Sequence, residues 1–221
     1  MKLASSRVID APAAARFIQE WMERYISTSG LEGWVVGVSG GIDSAVTSTL
    51  AARTGRPTTV LRMPIHQAVD QDQRGADHIA WLEAEFNNVQ SLNVDLTPSF
   101  DGLSDALAQA AGGPFGGLSL ANARARLRMT TLYAVAAERR ALVAGTGNKV
   151  EDFGVGFYTK YGDGGVDLGI GLCLDRLHVL AVAARARRAE EPPRRASDDC
   201  VAGSRPVAAK LAEHRKRWKR P

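Results

Sequence analysis

The chain has 221 residues, of which 45% are hydrophobic and 24% charged, a composition that excludes a wholly disordered protein and allows one sizeable core. No run approaches the roughly 20 apolar residues of a membrane span, and the first residues lack a signal-peptide pattern. The two cysteines are too few for a disulfide framework. We therefore expect a cytoplasmic protein with no membrane partner. The net charge of +4 divides into a body of −3 and a basic tail, because residues 185–221 hold 12 Lys or Arg against 5 Asp or Glu.

Apolar strands alternate with amphipathic helices along the chain. We predict helices at residues 12–28, 43–53, 71–86, 119–139 and 171–188, and strands at residues 34–38, 58–61, 89–96 and 141–144. In the first helix Phe17, Trp21 and Tyr25 recur every four residues. The alternation predicts an α/β fold with a doubly wound parallel sheet and helices on both faces. Ligands of such sheets bind beyond the carboxyl ends of the strands.

The composition changes after the last predicted helix, where Glu, Pro, Arg, Ser and Asp replace the apolar periodicity. We therefore expect one domain at residues 1–188 and a divergent basic segment at residues 189–221. Because only that segment is basic, nucleic acid is not an expected partner of the body.

A glycine-rich turn, Ser39-Gly-Gly-Ile-Asp-Ser44, follows the first predicted strand and opens a helix. Glycines let the backbone approach a ligand, and the N–H groups and dipole of the helix favour a phosphate there. No Lys follows the glycines, so this is not the Walker pattern. Asp43 would repel a bare phosphate but suits a bound Mg²⁺. The alternative is a plain strand-to-helix turn in which Asp43 and Ser44 act as caps.

This turn resembles the pyrophosphate loop of the N-type ATP pyrophosphatases, which adenylate a substrate oxygen, release pyrophosphate and let a nucleophile displace AMP. A second constellation narrows the resemblance. Residues 145–151, Gly-Thr-Gly-Asn-Lys-Val-Glu, and residues 156–167, Gly-Phe-Tyr-Thr-Lys-Tyr-Gly-Asp-Gly-Gly-Val-Asp, resemble the signature of the NAD synthetases. So do residues 61–64 with Gln67, and residues 122–129; together the resemblance covers residues 12–183. It implies an adenine nucleotide alpha hydrolase-like fold.

The resemblance also implies an ATP site with a magnesium ion. Its loop residues are Gly37, Val38, Ser39, Gly40, Gly41, Ile42, Asp43 and Ser44. Thr146 contacts ATP, and Arg176 occupies the position of an ATP-contacting Lys. Asp43 and Glu151 are the catalytic pair and hold Mg²⁺ between them.

For the second substrate the resemblance implies that Arg126, Lys160 and Asp167 bind deamido-NAD. The implied reaction is ATP-dependent amidation: the nicotinate carboxylate attacks the α-phosphorus, pyrophosphate leaves, and ammonia then displaces AMP to give NAD⁺. The chain has no room for a glutamine-hydrolysing domain, so the implied nitrogen source is free ammonia.

The helix predicted at 119–139 is apolar on several sides, which indicates burial on several sides. One face is formed by Asn122, Arg126, Met129 and Tyr133, and a neighbouring face, expected to pack on the sheet, by Ala123, Leu127, Thr130 and Ala134. Leu132 and Val135 lie on neither face. This pattern favours a subunit interface, in agreement with the homodimer that the resemblance implies.

The C-terminal fifth departs from the family pattern. The expected closing loop is not found at residues 186–206, and neither His214-Arg215 nor Trp218-Lys219 convincingly matches the expected His-Lys pair. Two alternatives to a working enzyme stay open on this ground: a non-catalytic relative that binds nucleotide or only dimerises, and an RNA-directed member of the superfamily. The signature at 159–167, together with the absence of cysteines from the expected loops, argues against the second alternative.

Overall fold

The computed structural model describes residues 10–171. The last predicted helix, the ATP contact expected of Arg176 and the domain boundary expected at residue 188 lie outside the described residues. None of the helices among residues 10–171 is long and apolar enough to cross a membrane.

Five helices and five strands follow one another in the described part of the chain. The helices are α1 (Ala11–Ser29), α2 (Ile42–Arg53), α3 (Val69–Glu85), α4 (Thr97–Ala111) and α5 (Gly117–Glu138). The strands are β1 (Gly33–Gly37), β2 (Thr58–Arg62), β3 (Val89–Asn93), β4 (Ala141–Gly145) and β5 (Leu168–Gly169), and a π-helical turn spans Val150–Gly154.

The strands form one parallel sheet in the order β3-β2-β1-β4-β5. The chain first moves outward from β1 through β2 to β3 and then returns to place β4 on the other side of β1. The strand order therefore reverses between β1 and β4, which is the topological switch point where doubly wound sheets form a crevice beyond their carboxyl ends.

Alternating side chains of the central strand enter two separate cores. Trp34, Val36 and Val38 join a cluster supplied by α1, α2 and α3, whereas Val35 joins a cluster supplied by α4 and α5. Because successive strand residues point to opposite faces, both faces of the sheet are covered by helices. This confirms the predicted doubly wound α/β fold.

α1 begins and ends at recognisable capping residues. The Asp10 carboxylate accepts the Ala13 N–H at 3.0 Å, and Gly30 ends the helix in the left-handed conformation with φ +73°. Of the aromatic residues of this helix, Phe17 is 61% exposed and Tyr25 is 40% exposed. The core is entered by Ala15, Ile18, Met22 and Ile26.

β3 ends three residues earlier than predicted. Beyond Asn93 the Val94 N–H bonds back to the Arg62 carbonyl, and the Asp95 carboxylate accepts the Thr97 N–H at 2.9 Å, which starts α4. This helix is not predicted from the sequence, although Pro98 at its first turn and Gly112 at its end are standard boundary signals. Only Phe100 of α4 is buried, so the periodic apolar face that reveals a helix is weak.

The face of α5 that packs on the sheet was predicted correctly for two of its four residues. Ala123 and Leu127 pack against the second core, whereas Thr130 and Ala134 are exposed, and Met129, Leu132 and Ala136 are the buried residues. Apolar residues occur on every side of this helix, so its sequence does not determine its rotation. The rotation is fixed by the second core, where Leu132 packs near Gly37 of β1.

Candidate active site

The loop between β1 and α2 is an ordered turn with backbone groups held by two serines. The Ser44 hydroxyl donates to the Gly41 carbonyl at 2.9 Å and accepts the Ser39 N–H at 3.2 Å. The Ser39 hydroxyl accepts the Gly41 N–H at 3.3 Å. Side chains within the loop therefore fix its backbone before any ligand is bound.

Gly40 is required by the path of this loop. Its φ is +76°, a conformation that L side chains rarely adopt, and a Cβ there would overlap the Gln71 carbonyl oxygen of α3. The Gln67 amide reaches the Ser39 carbonyl at 3.4 Å. The glycine thus lets α3 pack directly against the loop.

α2 begins at Gly41, which is its N-cap and makes no side-chain capping hydrogen bond. Asp43 lies in the first turn of the helix, and the hydroxyl of Ser44 turns back to the loop. Neither residue is the cap that the plain-turn alternative required. A glycine N-cap leaves the first N–H groups of α2 without a capping side chain, which is the arrangement suited to an anion.

The loop after β4 carries the second predicted carboxylate. Asn148 is 1% exposed, and its Oδ1 accepts the N–H groups of Val150 and Glu151, each at 3.1 Å. This side chain starts the π-helical turn and fixes the backbone of Glu151. An Asn just before a helical turn is a usual capping signal, yet it was not singled out from the sequence.

Asp152 is a third carboxylate at this edge, and the sequence reasoning missed it. Its pKa is raised to about 6, first by burial and then by the negative charges of Asp163, Glu151 and Asp43. Gly147 makes room for it, because a Cβ at Gly147 would overlap the Asp152 carboxylate. Asp43, in the first turn of α2, and Glu151, in the π-helical turn after β4, therefore both raise the pKa of Asp152.

These carboxylates fit a hard divalent cation that also binds nucleotide. Mutually repelling carboxylates favour a cation among them, and Mg²⁺ takes one or two carboxylates together with phosphate oxygens. Within residues 10–171 no group of three or more acidic, His or Cys residues has the geometry to hold a metal by itself. Asp43 and Glu151 could therefore supply only part of the coordination of an ion shared with a ligand.

The residues expected to bind deamido-NAD meet where α5 contacts the 159–167 turn. The Arg126 Nε donates to the Lys160 carbonyl at 3.0 Å, and the Thr159 hydroxyl donates to Asn122 Oδ1 at 2.8 Å. Gly162 approaches α5 so closely that a Cβ there would lie 2.9 Å from that of Ala125. The structure thus brings Arg126 and Lys160 together.

Asp167 is tied to both α5 and β4. Its Oδ1 lies 2.9 Å from the Tyr133 hydroxyl, and its Oδ2 accepts the Val143 N–H at 2.8 Å. Asn122, Arg126 and Tyr133 therefore do share a face of α5, and that face holds the 159–167 turn of the same chain. Met129, which was assigned to this face, is buried in the core instead.

Four exposed aromatic rings lie in or between the π-helical turn and the 159–167 turn: Phe153, Phe157, Tyr158 and Tyr161. A separate cavity of about 360 Å³ lies at the opposite edge of the sheet, where Gly33, Thr58 and Ala141 begin their strands. It contains none of the predicted site residues. The glycine-rich loop and the π-helical turn with Glu151 follow the carboxyl ends of β1 and β4, where the ligands of doubly wound sheets bind.

Comparison with known proteins agrees with this arrangement. The NAD synthase family matches residues 14–194. The NH₃-dependent NAD⁺ synthetase of Mycoplasmopsis pulmonis is 38% identical over 153 residues, which make up 69% of this chain and 56% of that enzyme. The chain therefore spans a little more than half the length of this curated relative.

Solved structures share the fold. NMN synthetase from Francisella tularensis superposes with a TM-score of 0.73 at 26% identity, covering 97% of this chain and 89% of that chain. NAD⁺ synthetase from Burkholderia pseudomallei gives a TM-score of 0.71 at 29% identity, covering 93% of this chain and 75% of that chain. With the family match extending over most of its length, this chain belongs to the NAD synthase family.

Proposed function

We propose that this protein is an ammonia-dependent NAD⁺ synthetase that amidates deamido-NAD at the expense of ATP. The observation that carries the proposal is the switch point between β1 and β4, because the glycine-rich loop follows the carboxyl end of β1 and the π-helical turn with Glu151 follows the carboxyl end of the neighbouring β4. Family membership supports the reaction class, and these two neighbouring segments support the proposed site.

The loop at residues 37–44 is the proposed ATP site. Backbone N–H groups at the start of α2 and the ordered Ser39 and Ser44 hydroxyls are suited to the phosphates, and Thr146 approaches the nucleotide from β4. Asp43 and Glu151 would hold Mg²⁺, which neutralises negative charge on the triphosphate when bound.

Arg126, Lys160 and Asp167 are the proposed deamido-NAD site. Within residues 10–171 the Arg126 side chain forms one hydrogen bond, from its Nε to the Lys160 carbonyl, and its two terminal nitrogens suit the phosphates of a dinucleotide. Lys160 adds a second cation, and Asp167 accepts hydrogen bonds from hydroxyl groups. This charge pattern matches a dinucleotide that carries phosphates and riboses.

In the proposed reaction the nicotinate carboxylate oxygen forms a bond to the α-phosphorus, and the bond to pyrophosphate breaks. Ammonia then attacks the adenylated carbonyl carbon, a proton leaves the nitrogen, and AMP departs as the second leaving group. The chain contributes alignment of the two substrates and stabilisation of developing negative charge. No side chain needs to form a covalent bond.

We further propose a homodimer of a cytoplasmic enzyme. α4 buries only Phe100, while Leu103 of α4 and Leu118 of α5 are 43% and 61% exposed. Both helices cover the same face of the sheet, and we place the proposed contact with a second copy of the chain on this face.

The test is an assay of the purified chain with deamido-NAD, MgATP and ammonium, followed by chromatography of NAD⁺ and AMP. Equimolar NAD⁺ and AMP are expected, with glutamine giving less product than ammonium. The deamido form of NMN should be tested in parallel, because the chain also resembles an NMN synthetase; preferred use of that nucleotide would overturn the proposed substrate.

Asp43→Asn is the first variant to measure in this assay. Loss of its charge weakens the magnesium–triphosphate complex, so turnover should fall by about 100-fold or more, with little change in melting temperature. Asp77→Asn is the matched control, because Asp77 is an exposed acid of α3 that accepts a hydrogen bond from the Gln73 side chain. ATP binding without product by the wild type would instead favour the non-catalytic alternative.

A further inference from the structure

The hydroxyl of Tyr133 lies between two acceptors at the end of the 159–167 turn. It is 2.9 Å from the Gly165 carbonyl oxygen and 2.9 Å from Asp167 Oδ1. Neither acceptor carries a proton when Asp167 is ionised, so the phenol is the donor and shares its single proton between the two acceptors. Its pKa is raised by burial and then by Asp167, which keeps the proton on the oxygen throughout the range in which enzymes operate.

Asp167 is held at both oxygens yet remains exposed. The backbone N–H of Val143 holds Oδ2 and the tyrosine holds Oδ1, so rotation of the carboxylate is restricted by α5 on one side and β4 on the other. A carboxylate has about four acceptor sites, and two of them stay available to hydroxyl groups of a ligand. The carboxylate is thus oriented before a ligand arrives.

We propose that Tyr133 is a positioning residue that holds the Asp167 carboxylate in the orientation in which it binds deamido-NAD. This inference rests on the proposed function, since it takes Asp167 as a deamido-NAD contact. Tyr133 acts through Asp167 and through the Gly165 carbonyl, not on the reacting atoms. Its effect therefore falls on the binding of one substrate.

The proposal predicts a selective change in Tyr133→Phe, which keeps the ring and removes the hydroxyl. The KM for deamido-NAD should rise by about 10- to 150-fold, the range expected for loss of a hydrogen bond to a charged group. The KM for ATP and the melting temperature should stay near the wild-type values, because the β1–α2 loop makes no contact with this hydroxyl. Tyr25→Phe on α1 is the matched control.

A double-mutant cycle with Asp167→Asn separates positioning from direct contact. If Tyr133 acts through Asp167, removing the hydroxyl in the Asp167→Asn background should raise the KM for deamido-NAD by less than twofold. Independent, multiplicative effects would overturn the inference, as would an unchanged KM in Tyr133→Phe or equal increases in the KM values of both substrates.

Calorimetric titration of deamido-NAD without ATP gives a second measurement of the same quantity. The dissociation constant should follow the KM in each variant if positioning is correct. A wild type that binds no deamido-NAD and makes no product would overturn the proposed function and the inference with it. An active wild type with an unaffected Tyr133→Phe would overturn the inference alone.

Discussion

Asp43, Glu151 and Asp152 concentrate negative charge beyond the carboxyl ends of β1 and β4. The consequence is visible at Asp152, whose pKa of about 6 reflects burial and three neighbouring acids. Asp43 and Glu151 were predicted from sequence motifs, whereas Asp152 belongs to no motif that singles it out. Asp152 reaches this place because the π-helical turn directs its carboxylate to Gly147, where a Cβ would overlap it.

Asp152→Asn should stabilise the ligand-free protein at high pH and lose that effect at low pH. A raised pKa means that ionising Asp152 costs more in the folded chain than in the unfolded chain. The cost is therefore fully present above about pH 6 and disappears below the ordinary value of 3.8.

Melting temperatures in EDTA between pH 4.5 and pH 8 measure this effect. We expect an increase of about 3 °C at pH 8, equivalent to about 1 kcal/mol once solvent screening is allowed for, and a smaller increase at each lower pH. Asp77→Asn should show no such trend. A constant shift at every pH, or a lower melting temperature at pH 8, would contradict the assignment.

The β1–α2 loop illustrates how one element is held by its neighbours. Ser39 and Ser44 organise its backbone from within, while α3 closes over Gly40 from outside. The loop was predicted from its glycines alone, and α3 was predicted from its apolar spacing. Their contact was not predictable, because the spacing of residues within each segment does not determine which loop a helix packs against.

Gly40→Ala tests that contact against a closely matched glycine. Gly40 and Gly55 have nearly equal φ values of +76° and +75°, but a Cβ at Gly55 meets nothing within 4 Å. Both substitutions should cost about 1 kcal/mol from backbone strain. Gly40→Ala should also displace the loop and weaken ATP binding by about 10-fold or more, since the added methyl overlaps the Gln71 carbonyl.

Urea denaturation and calorimetric titration of ATP measure the two effects separately. Gly55→Ala should lower the free energy of unfolding while leaving ATP affinity unchanged. Equal ATP affinities in the two variants would show that the position of the loop does not depend on its contact with α3.

At the scale of the whole molecule, the helices within residues 10–171 cover the two faces of the sheet unequally. α1, α2 and α3 each bury several side chains on one face, whereas on the other face α5 buries three and α4 buries one. The exposed leucines of α4 and α5 therefore mark the face on which a second copy is proposed to pack. Their exposure is a property of the tertiary structure, since the sequence of α5 is apolar on every side.

Leu103→Glu combined with Leu118→Glu should convert the proposed dimer into a monomer, because two charges on each copy would be buried in the interface. Sedimentation velocity at micromolar concentration measures the change in mass. Val69→Glu is the control, since Val69 is 85% exposed on α3, which covers the other face. A monomeric wild type, or a variant of unchanged mass, would contradict the proposed interface.

The sequence by itself determined the alternation of strands and helices, the glycine-rich loop with Asp43, and the membership of Glu151, Arg126, Lys160 and Asp167 in one family signature. These features are local, because side-chain spacing and glycine positions are written within single segments. They also predict a site at the carboxyl ends of the strands.

The tertiary structure alone decided the strand order, the rotation of α5, the pKa of Asp152 and the link from Tyr133 to Asp167. Each depends on contacts between residues far apart in sequence: α5 turns Leu132 toward Gly37, and Asp152 responds to Asp43. Such contacts are determined by the packing of the whole sheet with its helices, so the sequence of a short segment does not specify its partner.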